Sequence, residues 1–253
     1  MAKIGIIGGS GLENPQFLKG GRDVVVRTPY GEPSSPFAAG KLEGVEVAIL
    51  SRHGRKHTIP PTQVNCRANI HAFKELGCTH ILATTACGSL REDIRRGDLV
   101  IPDQFIDFTR SRPLTFFEKF DGGPDGTKHT AMPDPFNEDL RRILIETGRE
   151  LKIRLHDKGT IVTIEGPRFS TRAESRMFRL WGADVINMSV APEAILANEA
   201  ELPYAAVALS TDYDCWKTDE APVTMADILT IFARNVANVT KLLLAAIPKI
   251  TGL

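Results

Sequence analysis

The chain has 253 residues, a length that suits one large α/β domain or two small ones. Lysine plus arginine and aspartate plus glutamate both number 31, so the formal net charge is zero. A neutral chain has no global attraction for nucleic acid or for an acidic membrane surface, and we expect neither partner. The sequence also lacks an apolar run near the ~20 residues that a membrane-spanning helix needs.

The four cysteines are spaced too widely to suggest a metal site. Cys66, Cys78, Cys87 and Cys215 form no CxxC pair, so we expect no zinc and no other metal. Reduced thiols are typical of the cytoplasm. The first predicted strand begins at Lys3, which leaves no room for a signal peptide, and we therefore expect a cytoplasmic protein.

Apolar runs and helical periodicity alternate along the whole chain. Most of the runs are continuous, which indicates strands buried on both faces by helices. Strands are predicted at residues 3–9, 45–50, 80–85, 98–106, 159–164, 184–188 and 203–211, with an edge strand at 22–28. Helices are predicted at 61–77, 136–151, 171–181, 191–200 and 224–247. Since no linker interrupts them, we predict a single three-layer α/β/α domain over residues 1–253.

A glycine cluster, GIIGGSGLEN, follows the first predicted strand at residues 5–14. The dinucleotide-binding fingerprint fails here, because Asn14 stands where its third glycine belongs and little room remains for a crossover helix. The P-loop fails as well, since no GK[ST] follows. The backbone N–H groups and the Ser10 hydroxyl could still bind a small anion. On this segment alone, a plain tight turn is the favoured interpretation.

A basic cluster, SRHGRKH, follows the second long strand at residues 51–57. Ligands of open α/β sheets bind at the carboxyl ends of strands. Arg52 and His53 lie nearest to this strand end, and Arg52 could hold phosphate through two hydrogen bonds. A solvated basic loop is the competing interpretation, and it is favoured for Lys56.

Four more polar clusters follow predicted strands, in TTACGSL (84–90), TIEGPRFSTRAE (163–174), INMSVAPE (186–193) and STDYDCW (210–216). Phe169 could stack on a planar ligand or belong to the core. Thr171 with Glu174 predicts a helix capping box. Asp212 and Asp214 could accept protons from, or donate them to, the heteroatoms of a purine, or they could cap helices. None of these clusters is decisive alone.

Six phrases together resemble the methylthioadenosine phosphorylases, in the trimeric branch of the purine nucleoside phosphorylase family. They are GIIGGSGL, RHGRKHTIPP, ANIHAFKELGCTHILATTACGSLRE, GDLVIPDQFIDFT, GTIVTIEGPRFSTRAES and STDYDCWK, and they span nearly the whole chain. The resemblance implies a single α/β domain with a mixed, partly barrel-like central sheet. It implies phosphorolysis of methylthioadenosine to adenine and 5-methylthioribose 1-phosphate, with phosphate as co-substrate and no metal or organic cofactor.

The resemblance also implies roles for individual residues. Phosphate would be bound by Ser10, Arg52, His53, Thr85, Ala86 and Ser189. Met188 would contact the ribose, and Phe169 would stack on the purine. Asp212, Tyr213 and Asp214 would bind the substrate, and the two aspartates would read the base; a protonated Asp212 would donate to N7 and Asp214 would accept from the 6-amino group. Specificity would depend on Ser170, on the apolar side chains Met225, Ile228 and Leu229, and on His129, which would reach the 5′ site of a neighbouring subunit.

The identity of the base is inferred from one position. The family members that act on 6-oxopurines carry asparagine where this chain has Asp212, and an amide suits a carbonyl as a carboxylate suits an amino group. We therefore expect adenine as the product. A 6-oxopurine nucleoside or methylthioinosine phosphorylase and a hydrolytic nucleosidase remain the alternatives. The resemblance implies a homotrimer, or a hexamer made of two trimers.

Overall fold

The computed structural model describes residues 2–8, 18–122, 127–219 and 224–253. The strands are β1 (Lys3–Gly8), β2 (Lys19–Val24), β3 (Phe37–Leu42), β4 (Val45–Ser51), β5 (His80–Ser89), β6 (Leu99–Val100), β7 (Gln104–Phe108), β8 (Leu155–His156), β9 (Thr160–Ile164), β10 (Val185–Asn187) and β11 (Tyr204–Tyr213). The helices are α1 (Cys66–Glu75), α2 (Glu138–Glu150), α3 (Arg172–Leu180), α4 (Val190–Glu199) and α5 (Met225–Ile250).

All of these strands join one mixed sheet, whose main path runs β2-β3-β4-β1-β5-β10-β9-β7. Strand β5 is its branch point, because β5 also pairs with β11, which leads on to β6 and β8. Strands β1, β4 and β11 run parallel to β5 or to its neighbour, whereas β10 runs antiparallel to β5. Among the described residues, the path does not close on itself.

The core has two layers of helices, one on each face of the sheet. Successive residues of β11 alternate between them: Tyr204 and Ala206 pack with α1 and α4, while Ala205 and Val207 pack with α2 and α5. This alternation explains why the strand reads as a continuous apolar run. The predicted α/β/α layering and the mixed sheet are confirmed.

Two strands were missed by the sequence-based prediction. Strand β3 has no strong apolar run, and it forms a hairpin with β4 through Glu43 and Gly44, both of which have positive φ (48° and 85°). A two-residue turn with positive φ at both positions is the favoured hairpin turn, so this dipeptide was the available signal. Strand β8 has only two residues and gives no periodicity.

Several predicted boundaries were also wrong. The strand predicted at 98–106 is two strands, because Pro102 cannot donate a ladder hydrogen bond and the halves pair with different partners. The predicted strand 80–85 continues to Ser89 as β5. Helix α1 begins at Cys66 rather than 61, where the side chain of Asn65 accepts a hydrogen bond from the N–H of Ala68. The capping box of Thr171 and Glu174 at the start of α3 is confirmed.

Candidate active site

A cavity of about 430 Å³ lies along β5, and most of the predicted site residues line it. Those that do are Arg52, His53, Thr85, Ala86, Phe169, Ser170, Met188, Ser189, Asp212 and Asp214. Ser10 lies outside the described residues, as do the side chains of Met225, Ile228 and Leu229. Tyr213 and His129 are described but are not part of the cavity wall.

Strand polarity brings these residues together in a way that the sequence did not indicate. The parallel strands β1 and β4 end side by side, and the N–H of Arg52 donates to the carbonyl of Gly8 (3.1 Å). Strand β10 runs back along β5, so that its carboxyl end meets the middle of β5 and Ser189 Oγ lies 3.3 Å from Thr85 Oγ1. The site therefore follows one strand from Thr85 to Gly88, instead of one common edge.

Arg52 lies at one end of the cavity in a buried hydrogen-bond cluster. Its Nε donates to Glu193 Oε1 (2.5 Å), its Nη2 to Glu193 Oε2 (3.0 Å) and its Nη1 to the carbonyl of Thr84 (2.8 Å). Tyr204 also donates its hydroxyl to Glu193 (2.8 Å). Burial alone would lower the pKa of Arg52, but the Glu193 carboxylate outweighs burial and raises that pKa.

The pairing with Glu193 changes how Arg52 can bind an anion. A guanidinium has five N–H donors, and the edge formed by Nε and Nη2 is used by Glu193. One Nη1 proton is used by the Thr84 carbonyl, so one N–H on Nη1 and one on Nη2 remain for an anion. Glu193 is a buried residue of α4, and sequence reasoning missed it.

His53 adds a ring to the same end of the cavity. Its Nδ1 lies 2.9 Å from the carbonyl of Ile59, a partner that can only accept, so Nδ1 carries a proton. Burial, together with the charge of Arg52, lowers the pKa of His53 to about 4. Near neutral pH the ring is therefore uncharged and its Nε2 is an acceptor, so His53 adds no positive charge to this end of the cavity.

Two hydroxyls and a buried amide complete this end of the cavity. Thr85 Oγ1 donates to the carbonyl of Ala86 (3.0 Å), and Asn187 Nδ2 lies 3.2 Å from Thr85 Oγ1 and 3.4 Å from Ser189 Oγ. With Arg52 they form a set of hydrogen-bond donors with little net charge. Asn187 was not predicted as a site residue, because a polar residue at the end of an apolar strand is ordinary and gives no separate signal.

Two carboxylates lie at the other end of the cavity, and a β-bulge positions them. The register of β11 against β5 shifts between Ser210 and Asp212, so Thr211 is an extra residue in β11. After the bulge, Asp212 and Asp214 are two residues apart and face the same side, into the cavity. Thr211 donates its hydroxyl to Asp212 Oδ2 (2.8 Å).

Ser170 holds the second of these carboxylates. Its hydroxyl lies 2.7 Å from both oxygens of Asp214, whose backbone N–H donates to the carbonyl of Ser89 (3.0 Å). Phe169, beside it, is 43% exposed and contributes its ring to the cavity wall. An aromatic face and two carboxylates at one end of a cavity fit a planar base with exocyclic donors.

Tyr213, predicted to bind the substrate, is not part of the cavity wall. It stands between the two aspartates in β11, so the alternation of the strand turns it away from them. Its hydroxyl lies 3.4 Å from the carbonyl of Glu92, and its ring packs edge-on against Trp216. His129 is exposed and contacts Phe120, with ring centroids 5.6 Å apart.

Arg112 joins three segments behind the cavity and was also missed. It donates to the carbonyls of Met188 (2.6 Å) and Glu165 (2.6 Å) and, through Nε, to the Glu165 carboxylate (3.3 Å). Burial alone would raise the pKa of Glu165, but hydrogen bonds from the N–H groups of Arg110 and Ser111 outweigh it and lower that pKa. These hydrogen bonds hold the backbone of Met188 close to Arg112 and Glu165.

Within the part of the chain that the structure describes, no group of three or more histidine, cysteine, aspartate or glutamate side chains is placed to hold a metal ion. No helix in the same part of the chain is long and apolar enough to cross a membrane. All four cysteines are free thiols.

The fold and the cavity agree with the comparisons with known proteins. The chain belongs to the phosphorylase superfamily, whose family model matches residues 3–248. The S-methyl-5'-thioadenosine phosphorylases of Danio rerio and Xenopus tropicalis are each 54% identical to it; the alignments cover 98% and 99% of this chain and 89% and 90% of theirs. The resemblance inferred from the motifs is confirmed.

Solved structures give the same result. The methylthioadenosine phosphorylase from Schistosoma mansoni in complex with adenine has a TM-score of 0.92 and 43% identity, covering 100% of this chain and 93% of that one. A mutant of the adenosine/methylthioadenosine phosphorylase from the same organism, in complex with methylthioadenosine, has a TM-score of 0.90 and 42% identity, with the same coverage. The expected purine nucleoside phosphorylase-like fold is confirmed.

Proposed function

We propose that this protein cleaves S-methyl-5'-thioadenosine with inorganic phosphate, releasing adenine and 5-methylthioribose 1-phosphate for purine and methionine salvage. One observation carries the proposal: a single cavity has hydrogen-bond donors around Arg52 at one end and the carboxylates of Asp212 and Asp214 at the other. The relatives named S-methyl-5'-thioadenosine phosphorylase support it. Phosphate is the co-substrate, and no metal or organic cofactor takes part.

The two ends act on opposite sides of the glycosidic bond. A phosphate oxygen attacks C1′ of the ribose as the bond from C1′ to the purine breaks, and the bonding electrons pass to the base. Asp212, in its protonated form, donates its proton to N7 of the leaving adenine. Asp214 accepts a hydrogen bond from the 6-amino group, and Ser170 keeps its carboxylate in place.

The substrate is positioned between these ends. Met188 is part of the cavity wall and precedes Ser189 in the chain, which suits a contact with the ribose. The Phe169 ring covers the base, and Thr85, Ala86 and Ser189 surround phosphate with Ser10. An apolar wall of Met225, Ile228 and Leu229 for the 5′-methylthio group remains a proposal from the sequence.

The experiment that tests this function is a panel of four nucleosides, each with and without phosphate. Methylthioadenosine should release adenine only when phosphate is present, and inosine and methylthioinosine should react much more slowly. Adenosine is the informative fourth substrate, because a structural relative is named for both adenosine and methylthioadenosine. Equal release in phosphate-free buffer would identify a hydrolytic nucleosidase, and preference for inosine or methylthioinosine a 6-oxopurine enzyme.

The remaining features of the proposal concern the whole protein. A single domain over residues 1–253 is supported by the one sheet that joins β1 to β11, and a cytoplasmic location by the four free thiols. We propose a homotrimer, or a hexamer of two trimers. His129 is exposed and outside the cavity, as a residue that completes a neighbouring subunit's site would be. Analytical ultracentrifugation of the protein tests the assembly directly.

A further inference from the structure

A chain of hydrogen bonds leads from the start of α4 to the two hydroxyls of the phosphate end. The backbone N–H of Ala191 donates to Thr163 Oγ1 (3.1 Å), and Thr163 donates its hydroxyl to Asn187 Oδ1 (2.7 Å). The Nδ2 of Asn187 then lies 3.2 Å from Thr85 Oγ1 and 3.4 Å from Ser189 Oγ. Thr163 and Asn187 are both buried.

Proton counting fixes the direction of this chain. Thr163 Oγ1 already accepts the Ala191 N–H, and the proton of its hydroxyl needs an acceptor, which is Asn187 Oδ1. The amide therefore presents its NH₂ to the cavity. Its two protons match the two hydroxyl oxygens, so Thr85 and Ser189 both accept from Asn187. The Thr85 proton is donated to the Ala86 carbonyl (3.0 Å), whereas the Ser189 proton is left for the Thr85 oxygen (3.3 Å) or for a bound anion.

We propose that Asn187 is a positioning residue that makes the hydroxyl of Ser189 a donor for phosphate. A hydroxyl has one proton, and it binds an anion only if that proton points at the anion. Asn187 occupies the acceptor side of both hydroxyls, and it is held in that orientation by Thr163. The inference rests on the proposed use of phosphate, and it assigns the amide a role in orientation without contact with the reacting atoms.

The critical variant is Asn187→Asp, which changes the amide to a carboxylate of nearly the same shape. A carboxylate only accepts hydrogen bonds, so the Ser189 hydroxyl turns its proton toward it and away from phosphate. The KM for phosphate should rise about 10- to 100-fold, the effect of one or more lost charge-assisted hydrogen bonds. The KM for the nucleoside should change less than about twofold.

A second pair of variants separates orientation from charge. Thr163→Val removes the proton that anchors Asn187 Oδ1 and adds no charge, and the KM for phosphate should again rise selectively. Thr163→Ser restores the hydroxyl and should return that KM to the wild-type value. This pair also carries the test if Asn187→Asp does not fold. A rise in Asn187→Asp with no effect in Thr163→Val would overturn the proposal and leave charge repulsion as the explanation.

The matched control is Asn69→Asp. Asn69 is equally buried, its Nδ2 donates to the Ser34 hydroxyl (3.0 Å), and it is not part of the cavity wall. The Asn69→Asp variant should be less stable than the wild type and should keep the wild-type KM for phosphate. Parallel rises in the KM for phosphate and for the nucleoside in Asn187→Asp, or no rise in either, would show a merely structural role.

A binding measurement separates this inference from the proposed function. Phosphate should raise the Tm of the wild-type protein in a concentration-dependent way, and this protection should be weaker in Asn187→Asp. Protection without phosphate-dependent cleavage would support the site and contradict the reaction. Equal protection in both proteins would overturn the role of Asn187, and no protection of the wild type would overturn the phosphate site itself.

Discussion

Arg52 and Glu193 form a two-bond ion pair with almost no exposure to solvent. Their side chains are 2% and 1% exposed, and the two hydrogen bonds measure 2.5 and 3.0 Å. The pair is neutral as a unit, so the phosphate end of the cavity offers directed N–H donors instead of an excess positive charge. Before phosphate binds, the buried guanidinium is already compensated.

Glu193→Gln should test this compensation. The variant leaves Arg52 charged and buried without a counter-ion, and breaking such a pair costs about 3–5 kcal/mol in the free energy of unfolding. Phosphate then becomes the counter-ion, so added phosphate should stabilise the variant by more than it stabilises the wild type. Denaturant unfolding of both proteins, with and without phosphate, measures both effects.

The control for Glu193→Gln is Asp139→Asn. Asp139 pairs with Arg142 through side chains that are 58% and 56% exposed, and such surface pairs contribute at most about 1 kcal/mol. Phosphate should change the free energy of unfolding of Asp139→Asn by the same amount as that of the wild type. If phosphate stabilised Glu193→Gln and the wild type equally, the charge of Glu193 would have no effect on phosphate binding.

Asp212→Asn should lower kcat/KM for methylthioadenosine by about 10²–10⁴-fold, the contribution of a general acid. An amide cannot protonate N7, but it can donate to a 6-carbonyl, so the relative rate with methylthioinosine should rise. Tyr213→Phe is the control from the same strand, since its side chain faces away from the cavity and it should keep wild-type rates. Steady-state rates with both substrates decide between these outcomes.

Gly88→Ala should disturb the same carboxylate by steric pressure. A Cβ at residue 88 would lie 3.3 Å from Asp212 Oδ1 and 3.2 Å from Ile186 Cγ2, so the carboxylate must move by a few tenths of an ångström. Since small displacements of reacting groups are costly, we expect kcat/KM to fall about tenfold. Gly252→Ala, where the nearest atom would be 3.6 Å away, should leave activity unchanged. Wild-type activity in Gly88→Ala would show that the carboxylate tolerates this shift.

His53 should make stability depend on pH in a defined interval. Its pKa falls from the ordinary value of 6.5 to about 4 in the folded protein. Between these values the unfolded chain binds the proton and the folded chain does not, so the free energy of unfolding falls as the pH is lowered from 6.5 to 4. His53→Gln should show a smaller slope in urea unfolding over this interval. An unchanged slope would mean that other groups produce the pH dependence.

The residues that face the cavity were largely predictable, and their supporting residues were not. Arg52 and Asp212 follow apolar strands, and polar residues in that position are a visible signal. Glu193 and Asn187 lie within or beside apolar segments, so their burial gives no local signal. Their partners, Arg52 and Thr85, are 141 and 102 residues away, and only the folded chain brings them together.

The fold was predicted in its layers, and the polarity of its strands was not. Continuous apolar runs indicate burial on both faces, and the two helix layers follow from that. The antiparallel pairing of β10 with β5 has no such signature, because the strand spans only Val185–Asn187. The polar clusters were predicted at strand ends, and the antiparallel pairing brings the end of β10 to β5 from the opposite direction.

Strand β5 also fixes the distance between the two ends of the cavity. Thr85 lies beside Ser189 and Gly88 lies beside Asp212. The two residues are three positions apart in the strand, or about 10 Å at ~3.3 Å per residue. In the proposed reaction, the number of residues between Thr85 and Gly88 therefore sets the spacing between phosphate and the leaving base. Inserting or deleting a single residue between them would change that length and would also rotate every following side chain to the wrong face.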